Sequence, residues 1–372
     1  MTTEQIYGLV NTVNSEAFGH SAITVTDTSS LISLGNTVLS SSTNTENFLN
    51  TLAQRIGKTI LRFREYRNKL GDMVLNDFEY GAILQKLKVN MPEAELDESY
   101  DLIDGNTVDP YVIAKPDVDQ KLFVTRTPYQ YHITIQKVHL KEAFLSAEAM
   151  GAFIGVVMGE VRNAIEISLE NLGRITLATA IAELGGGSRE IALVTDFNTE
   201  YNPGTPMTAA EALHDEEFLR YAIMRMMTFT DAVQDASELY NDGSVVTFTP
   251  REDLRMRVIS EFQRRIESNV LYAAFNERYV DIPEGYKKLN FWQAAQSPYD
   301  ISITRPSDGT SVTVNNVVAI LYDRDAMGVY KMDEDVATSA LNPAGLYYNV
   351  YWHEKQLRFI DPSENQVIFT LN

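Results

Sequence analysis

The stretch from Ile83 to Ile135 constrains this chain most. Residues 93–109 carry Glu93, Glu95, Asp97, Glu98, Asp101, Asp104 and Asp109 with no basic residue. Strand-like stretches flank them, Ile83 to Val89 before and Leu122 to Ile135 after. The simplest picture is a long two-stranded excursion with an acidic tip, a connection that a compact domain rarely holds without a use for it. Just upstream, Arg55, Lys58, Arg62, Arg64, Arg67 and Lys69 are offset by Glu65 alone, and the alternation of Ile60, Arg62 and Arg64 around Leu61 and Phe63 suits a half-exposed strand. Opposite charge on two separated limbs suggests pairing between copies of the chain, Arg62, Arg64 and Arg67 against Glu93, Glu95, Asp97, Glu98 and Asp101. The competing reading is two solvated faces.

Residues 1–54 form a separate compositional block without Lys or Arg, in which nearly half the residues are Ser, Thr or Asn. Apolar clusters such as Ile6 to Val10 and Leu31 to Leu34 are short, so the block reads as an extended arm lying on other surfaces, with room for one short helix near residues 4–13. The whole chain, 372 residues with 44% hydrophobic content, is long enough for a large core and for about two domains. A net charge of -20, from 51 acidic against 31 basic residues, lacks the basic footprint of a dedicated nucleic-acid binder. With no cysteine, disulfides, thiolate metal sites and cysteine nucleophiles are excluded. The first 25 residues show no signal peptide, and the longest apolar run, Ala149 to Gly159, is too short to cross a bilayer. No membrane partner is expected.

Residues 140–184 carry the longest helical pattern. Ser146 caps its start, and Val157, Val161, Ile165, Leu169 and Leu172 recur near a 3.6 period. Gly151, Gly155 and Gly159 make either a smooth ridge or a break, and Gly185 to Gly187 stop the helix. Further on, Thr208-Ala-Ala-Glu211 is a capping box before a helix through Phe218 to Met227. Val245, Val246 and Phe248 read as a short strand, and Thr249-Pro-Arg-Glu252 as the cap of a helix through Ile259, Phe262 and Ile266. Ile301 to Thr304 and Val312 to Val314 flank a Ser307-Asp308-Gly309 turn. Val317 to Tyr322, Gly328 to Lys331, Leu346 to Trp352 and Gln356 to Ile360 read as strands.

Catalytic motifs do not show. Gly185-Gly-Gly-Ser188 lacks the Gly-Lys-Ser/Thr ending of a phosphate loop, and there is no nucleophile elbow. His20, His132, His139, His214 and His353 share no metal-binding spacing. Asp323 with Asp325, and Asp333 to Asp335, are better read as solvated turns than as cation loops. Met224, Met226 and Met227 read as filling, and Tyr347, Tyr348, Tyr351 and Trp352 as alternating burial on a strand rather than a sugar platform. No catalytic residue, metal or cofactor is expected.

The C-terminal third resembles the major capsid proteins of short-tailed phages of the phi-29 type. Asn316-Val-Val-Ala-Ile-Leu-Tyr-Asp-Arg-Asp-Ala-Met-Gly-Val-Tyr-Lys-Met332 and Asn342-Pro-Ala-Gly-Leu-Tyr-Tyr-Asn-Val-Tyr-Trp-His353 carry the likeness, joined by the stretch from Thr249 to Phe275. The resemblance implies an α+β chain with the Hong Kong 97 (HK-97) capsid fold. It places an N-terminal arm at 1–54, an extended β-hairpin loop reaching across a neighbour at 55–136, and a peripheral domain with a long spine helix at 137–190. An axial domain at 191–345 and C-terminal strands closing the sheets at 346–372 complete it. It implies a head protein, not an enzyme, that self-assembles as hexamers and pentamers into an icosahedral or prolate shell. The expected partners are a separate scaffolding protein, a portal protein and double-stranded DNA in passive contact, in the host cytoplasm during assembly and in the virion afterwards. The extra immunoglobulin-like domain that the phi-29 type can carry is not expected. Rival readings are an encapsulin-like compartment shell, a tail or connector ring, and a carbohydrate-active enzyme with paired carboxylates.

Overall fold

A computed structural model describes residues 2–19, 23–56, 66–78, 84–91, 118–124, 126–155, 159–202, 204–242, 246–268 and 285–372, with isolated positions between 96 and 115. In chain order the elements are α1 (Thr3–Phe18), α2 (Thr28–Leu39), α3 (Ser42–Ile56), β1 (Val74–Phe78), β2 (Leu84–Val89), β3 (Val118–Phe123) and β4 (Arg126–Gln136). Helices α4 (Lys137–Ala143), α5 (Ala147–Phe153) and α6 (Gly159–Leu184) follow, then β5 (Glu190–Ala192), α7 (Leu193–Tyr201), α8 (Ala209–Ala212) and α9 (Glu216–Ala232). The remainder is β6 (Leu254–Ile259), α10 (Ser260–Ile266), β7 (Gly285–Leu289), β8 (Ile301–Thr304), β9 (Ser311–Val314), β10 (Val317–Asp323), β11 (Met327–Thr338), β12 (Tyr347–Ile360) and β13 (Gln366–Thr370). Two units are drawn from interleaved segments. The first takes Met1–Tyr80, Arg126–Gly173 and Val329–Leu357, the second Gly81–Thr125, Arg174–Gly328 and Arg358–Asn372. The ranges 137–190 and 191–345, expected as peripheral and axial domains, each contribute to both units.

In the first unit the block expected to be an extended arm with one short helix near residues 4–13 carries that helix, as the longer α1, and two further helices, α2 and α3. Thr2 caps α1 in a full capping box with Gln5, and Asp27 caps α2 by accepting from the Ser30 amide. Ile6, Leu9, Val10 and Val13 on α1, Leu31, Leu34 and Val38 on α2, and Phe48, Leu49 and Leu52 on α3 are buried at helical spacing. They share one core with Leu140, Phe144, Met150, Ile165, Tyr348, Val350 and Trp352. The Phe48 and Phe144 rings meet at 5.3 Å, and a Cβ on Gly35 would lie 2.6 Å from the Phe144 Cβ, so only glycine permits this approach of α2. The Ser, Thr and Asn residues that suggested an arm mostly occupy caps and outward faces.

The sheet of this unit runs β1-β11-β12-β4. Strands β4 and β12 pair antiparallel from Tyr347↔Gln136 to Leu357↔Arg126. Alternation turns Tyr348 and Trp352 into the core and Tyr347 and Tyr351 away from it, as the sequence pattern predicts. Ser146 caps α5 through the Ala149 amide, α6 is described from Gly159, and residues 156–158, on which the choice between a ridge and a break turns, lie outside the described residues. Gly186, at φ 76°, adopts the left-handed backbone just past the end of α6.

The second unit is built on a mixed sheet, β5-β13-β10-β6-β7. All seven residues of β10 and all five of β13 are buried, which is why Val317 to Tyr322 reads as an unbroken apolar run. Phe197, Phe218, Leu219, Ala222, Met226 and Phe262 from α7, α9 and α10 pack in the core of this unit. Of the methionine cluster, Met226 is core while Met224 is exposed.

Three local expectations are corrected here. Thr249-Pro250 opens no helix: a turn leads directly into β6, and α10 starts only at Ser260. Leu254, Met256 and Val258 alternate, and pairing with β10 and β7 outweighs the cap signal. The capping box at Thr208 forms, but its helix is four residues long and Asp215 caps α9 afresh. Val246 and Phe248 are not in a strand; Thr247 makes only an isolated bridge to Ser237, and Val245 lies outside the described residues. The β8–β9 hairpin forms as expected, with Gly309 at φ 71° in its turn.

Candidate assembly surface

Strands β2 and β3 pair antiparallel from Leu84↔Phe123 to Val89↔Val118, so a two-stranded excursion forms, but its second strand is Val118–Phe123 and not the expected Leu122 to Ile135, most of which is β4 and pairs with β12 instead. Residues directly opposite in such a ladder share a face. Leu84, Lys86, Lys88, Asp119, Lys121 and Phe123 are therefore on one side, and Gln85, Leu87, Val89, Val118, Gln120 and Leu122 on the other. The polarity is inverted. The lysine side is the more buried one, whereas Leu87, Val89, Val118 and Leu122 are 60%, 61%, 46% and 54% exposed. No residue on that outer side carries charge.

The inner side is anchored at the β12–β13 turn. Lys86 Nζ lies 2.9 Å from Asp361 Oδ2 and 2.8 Å from Glu364 Oε1, and Lys121 Nζ 2.7 Å from Asp361 Oδ1. Lys88 Nζ donates to Thr247 Oγ1 at 2.7 Å and to the Ser363 carbonyl at 3.1 Å, with Glu364 3.6 Å away. Phe123 packs on Phe359 at 5.4 Å between ring centres. Asp361 is buried, and burial alone would raise its carboxyl. Hydrogen bonds from Lys121, Lys86 and Ser363 overcome that and hold it well below the usual carboxylate range. Lys86 pays for partial desolvation too, yet Glu364 and Asp361 raise it above an ordinary lysine.

Most residues expected at the surface between copies lie outside the described residues: Arg62, Arg64, Glu93, Glu95, Asp97, Glu98 and Asp101. So does the strand expected around Leu61 and Phe63. Arg67 is described and exposed, and its surroundings are tied to α6. Tyr66 donates its amide to Asn163 Oδ1 at 3.0 Å and its hydroxyl to Glu170 Oε2 at 2.8 Å, and the Lys69 amide reaches the same Glu170 oxygen at 3.0 Å. Asp104 and Asp109, in the acidic tract, are exposed.

The solvated-turn reading holds for Asp325, exposed in a short turn after β10, and Glu334 and Asp335 are exposed too, but on a strand. Asp323 is buried and accepts from the Asp325 amide at 2.7 Å, and Asp333 to Asp335 lie within β11, where Glu334 pairs with Lys331. Among the described residues no group of three or more His, Asp and Glu could hold a metal ion, and no helix is long and apolar enough to cross a membrane. A hollow beside α10 is lined by Glu261, Arg264, Arg265, Glu267 and Ser268; Glu261 is paired with Arg265, and Glu267 with Lys288.

Sequence reasoning missed Lys86, Lys88, Lys121, Asp361 and Glu364. The signal was present in Leu84-Gln-Lys-Leu-Lys-Val89, where lysines alternate with apolar residues, but it does not say which side faces the protein.

A model of the Phi29-like phage major capsid protein family matches residues 10–370. The major capsid protein of Bacillus phage B103 is 22% identical over 367 residues, 98% of this chain and 72% of that protein. That of Streptococcus phage Cp-1 is 23% identical over 330 residues, covering 86% and 80%. Among solved structures, the capsid of Staphylococcus phage Andhra aligns with TM-score 0.56 at 12% identity, over 84% of this chain and 87% of the other. A chain from a structure of the head fiber and inner core protein gp22 of native bacteriophage P68 aligns with the same TM-score at 11% identity and the same coverage. At such identities the structural likeness speaks for the fold.

Proposed function

We infer the working parts of this subunit from one premise: the chain belongs to the Phi29-like phage major capsid protein family. It is a major capsid protein of a tailed phage, a structural component of the virion built from many copies of itself. The family is structural, so the rival enzyme and compartment readings give way to a shell subunit.

The β2–β3 ribbon is the limb that meets a neighbouring copy, and its exposed, uncharged outer side, where Leu87, Val89, Val118 and Leu122 stand with Gln85 and Gln120, is the observation that carries this reading. Leucine and valine side chains left in water lose about 25 cal/mol per Å² that burial would recover, so contact with another protomer is favoured. A closed shell needs many modest contacts acting together rather than one strong one. The first unit, with most of α6, serves as the peripheral domain, and the mixed sheet of the second as the axial domain near the capsomer centre. Arg62, Arg64 and Arg67 pair with Glu93, Glu95, Asp97, Glu98 and Asp101 across copies. Scaffolding and portal proteins join during assembly in the host cytoplasm, and the acidic surface leaves packaged DNA in loose contact.

The test is electron microscopy of shells from the full chain. Leu87→Asp with Leu122→Asp should abolish shells while the soluble subunit keeps its native hydrogen-exchange pattern. Wild-type shell yield from this variant refutes the ribbon surface. Charge reversal at Arg62, Arg64 and Arg67 tests the ionic pairing in the same assay, and normal shells refute that part.

A further inference from the structure

We propose that Asp361 is the positioning residue of the β2–β3 ribbon: one buried carboxylate grips both strands and fixes the direction in which the outer side is presented. This rests on the reading that the outer side meets a neighbouring copy. The register places Lys86 directly opposite Lys121, and Asp361 uses a different oxygen for each, Oδ2 for Lys86 and Oδ1 for Lys121. A single side chain therefore holds the two strands together and to the β12–β13 turn.

The alternatives for holding the ribbon are few. A two-stranded ribbon is marginal in water by itself. Its apolar side is turned outward, so burial of Leu87, Val89, Val118 and Leu122 does not attach it to its own subunit. Phe123, against Phe359, gives an aromatic anchor among the described residues, and it sits at one end of the ladder. Asp361 is itself rigidly held. Its amide donates to the Ala326 carbonyl at 2.7 Å, and its own carbonyl accepts from Gln366 Nε2 at 2.7 Å. Ser363 donates to Oδ1 from both its amide and its hydroxyl, at 3.1 and 2.7 Å. Glu364 extends the grip to Lys88 along the first strand.

Removing one partner of a buried ion pair is costly because the other charge stays behind in a poor solvent. The lysines here are partly exposed, so the loss is smaller than for a fully buried pair. The experiment is hydrogen exchange on the full chain kept dilute and unassembled, comparing wild type with Asp361→Asn, which keeps an acceptor for Ser363. Ribbon peptides covering 84–89 and 118–123 should exchange about 10- to 100-fold faster, with β10 unchanged. Lys86→Gln with Lys121→Gln removes the same grip from the ribbon side, and so decides the matter if Asp361→Asn loosens the turn. Added salt should speed ribbon exchange in wild type and have little effect in these variants. Unchanged ribbon exchange in both variants overturns the proposal. So does a loosened ribbon that still forms shells at wild-type yield. The Leu87→Asp, Leu122→Asp variant separates the two claims: normal shells from it sink the surface reading while leaving the ionic grip, read by exchange, intact.

Discussion

Truncating Phe48 distinguishes a folded N-terminal layer from an arm. Phe48 is fully buried in the core of the first unit and its ring meets Phe144 at 5.3 Å. Phe→Ala at such a site costs about 3–5 kcal/mol, of which roughly 0.5–1.5 kcal/mol is the ring–ring contact. A domain of ordinary stability, about 5–15 kcal/mol, would lose a large fraction of it. With a urea dependence of about 2 kcal/mol per M, the unfolding midpoint should fall by about 1.5–2.5 M. The assay is urea unfolding of the unassembled chain, read by hydrogen exchange of β4 and β12 peptides, which belong to the same unit. Ile32 sits on the open side of α2, and Ile32→Ala should cost under about 1 kcal/mol. A midpoint for Phe48→Ala that matches Ile32→Ala would refute the packing of residues 1–56 as core.

The Asp27 carboxyl is lowered to about 2 by hydrogen bonds from Ser30 and Ser29, so its cap is present above the unfolded value near 4 and is lost as pH falls through about 2; amide exchange at Ser30 should rise across that window, and a flat profile contradicts the cap. Gly8 lies exposed inside α1 with open space around a Cβ, so Gly8→Ala should raise the melting temperature through a gain of about 0.5–1 kcal/mol, and a loss would argue against the helix. Gly186 is left-handed, so Gly186→Ala should cost about 1–2 kcal/mol in thermal unfolding, and an unchanged melting temperature would contradict the turn.

What the sequence discloses depends on how local the cause is. Gly309 and its flanking alternation reveal the β8–β9 hairpin because turn and strands lie within fourteen residues. The seven-residue run of β10 is apolar for one reason, burial on both faces, and reads directly. A short helix near residues 4–13 was legible and is α1, but its full length and the helices α2 and α3 were missed because low average hydrophobicity hid narrow stripes such as Leu31, Leu34 and Val38, while Thr2 and Asp27 look like ordinary loop residues until their caps form. Strand β6 was misread because Thr249-Pro250 is a genuine local helix signal that a distant partner, β10, overrides. The ionic grip on the ribbon was least accessible, since Lys121 and Asp361 stand 240 residues apart. The capsid family itself is carried by the order of elements, not by any single site residue.

The interleaving of the two units bears on how the subunit is made. Strand β13 lies between β5 and β10, and β12 lies between β11 and β4, so both sheets wait for residues beyond 346 before they can close. A ribosome extends the chain at about 5–20 residues per second, so translation of this length takes on the order of tens of seconds. Through that interval each sheet lacks a strand that lies between two others, so neither unit can complete its core until the last residues are made.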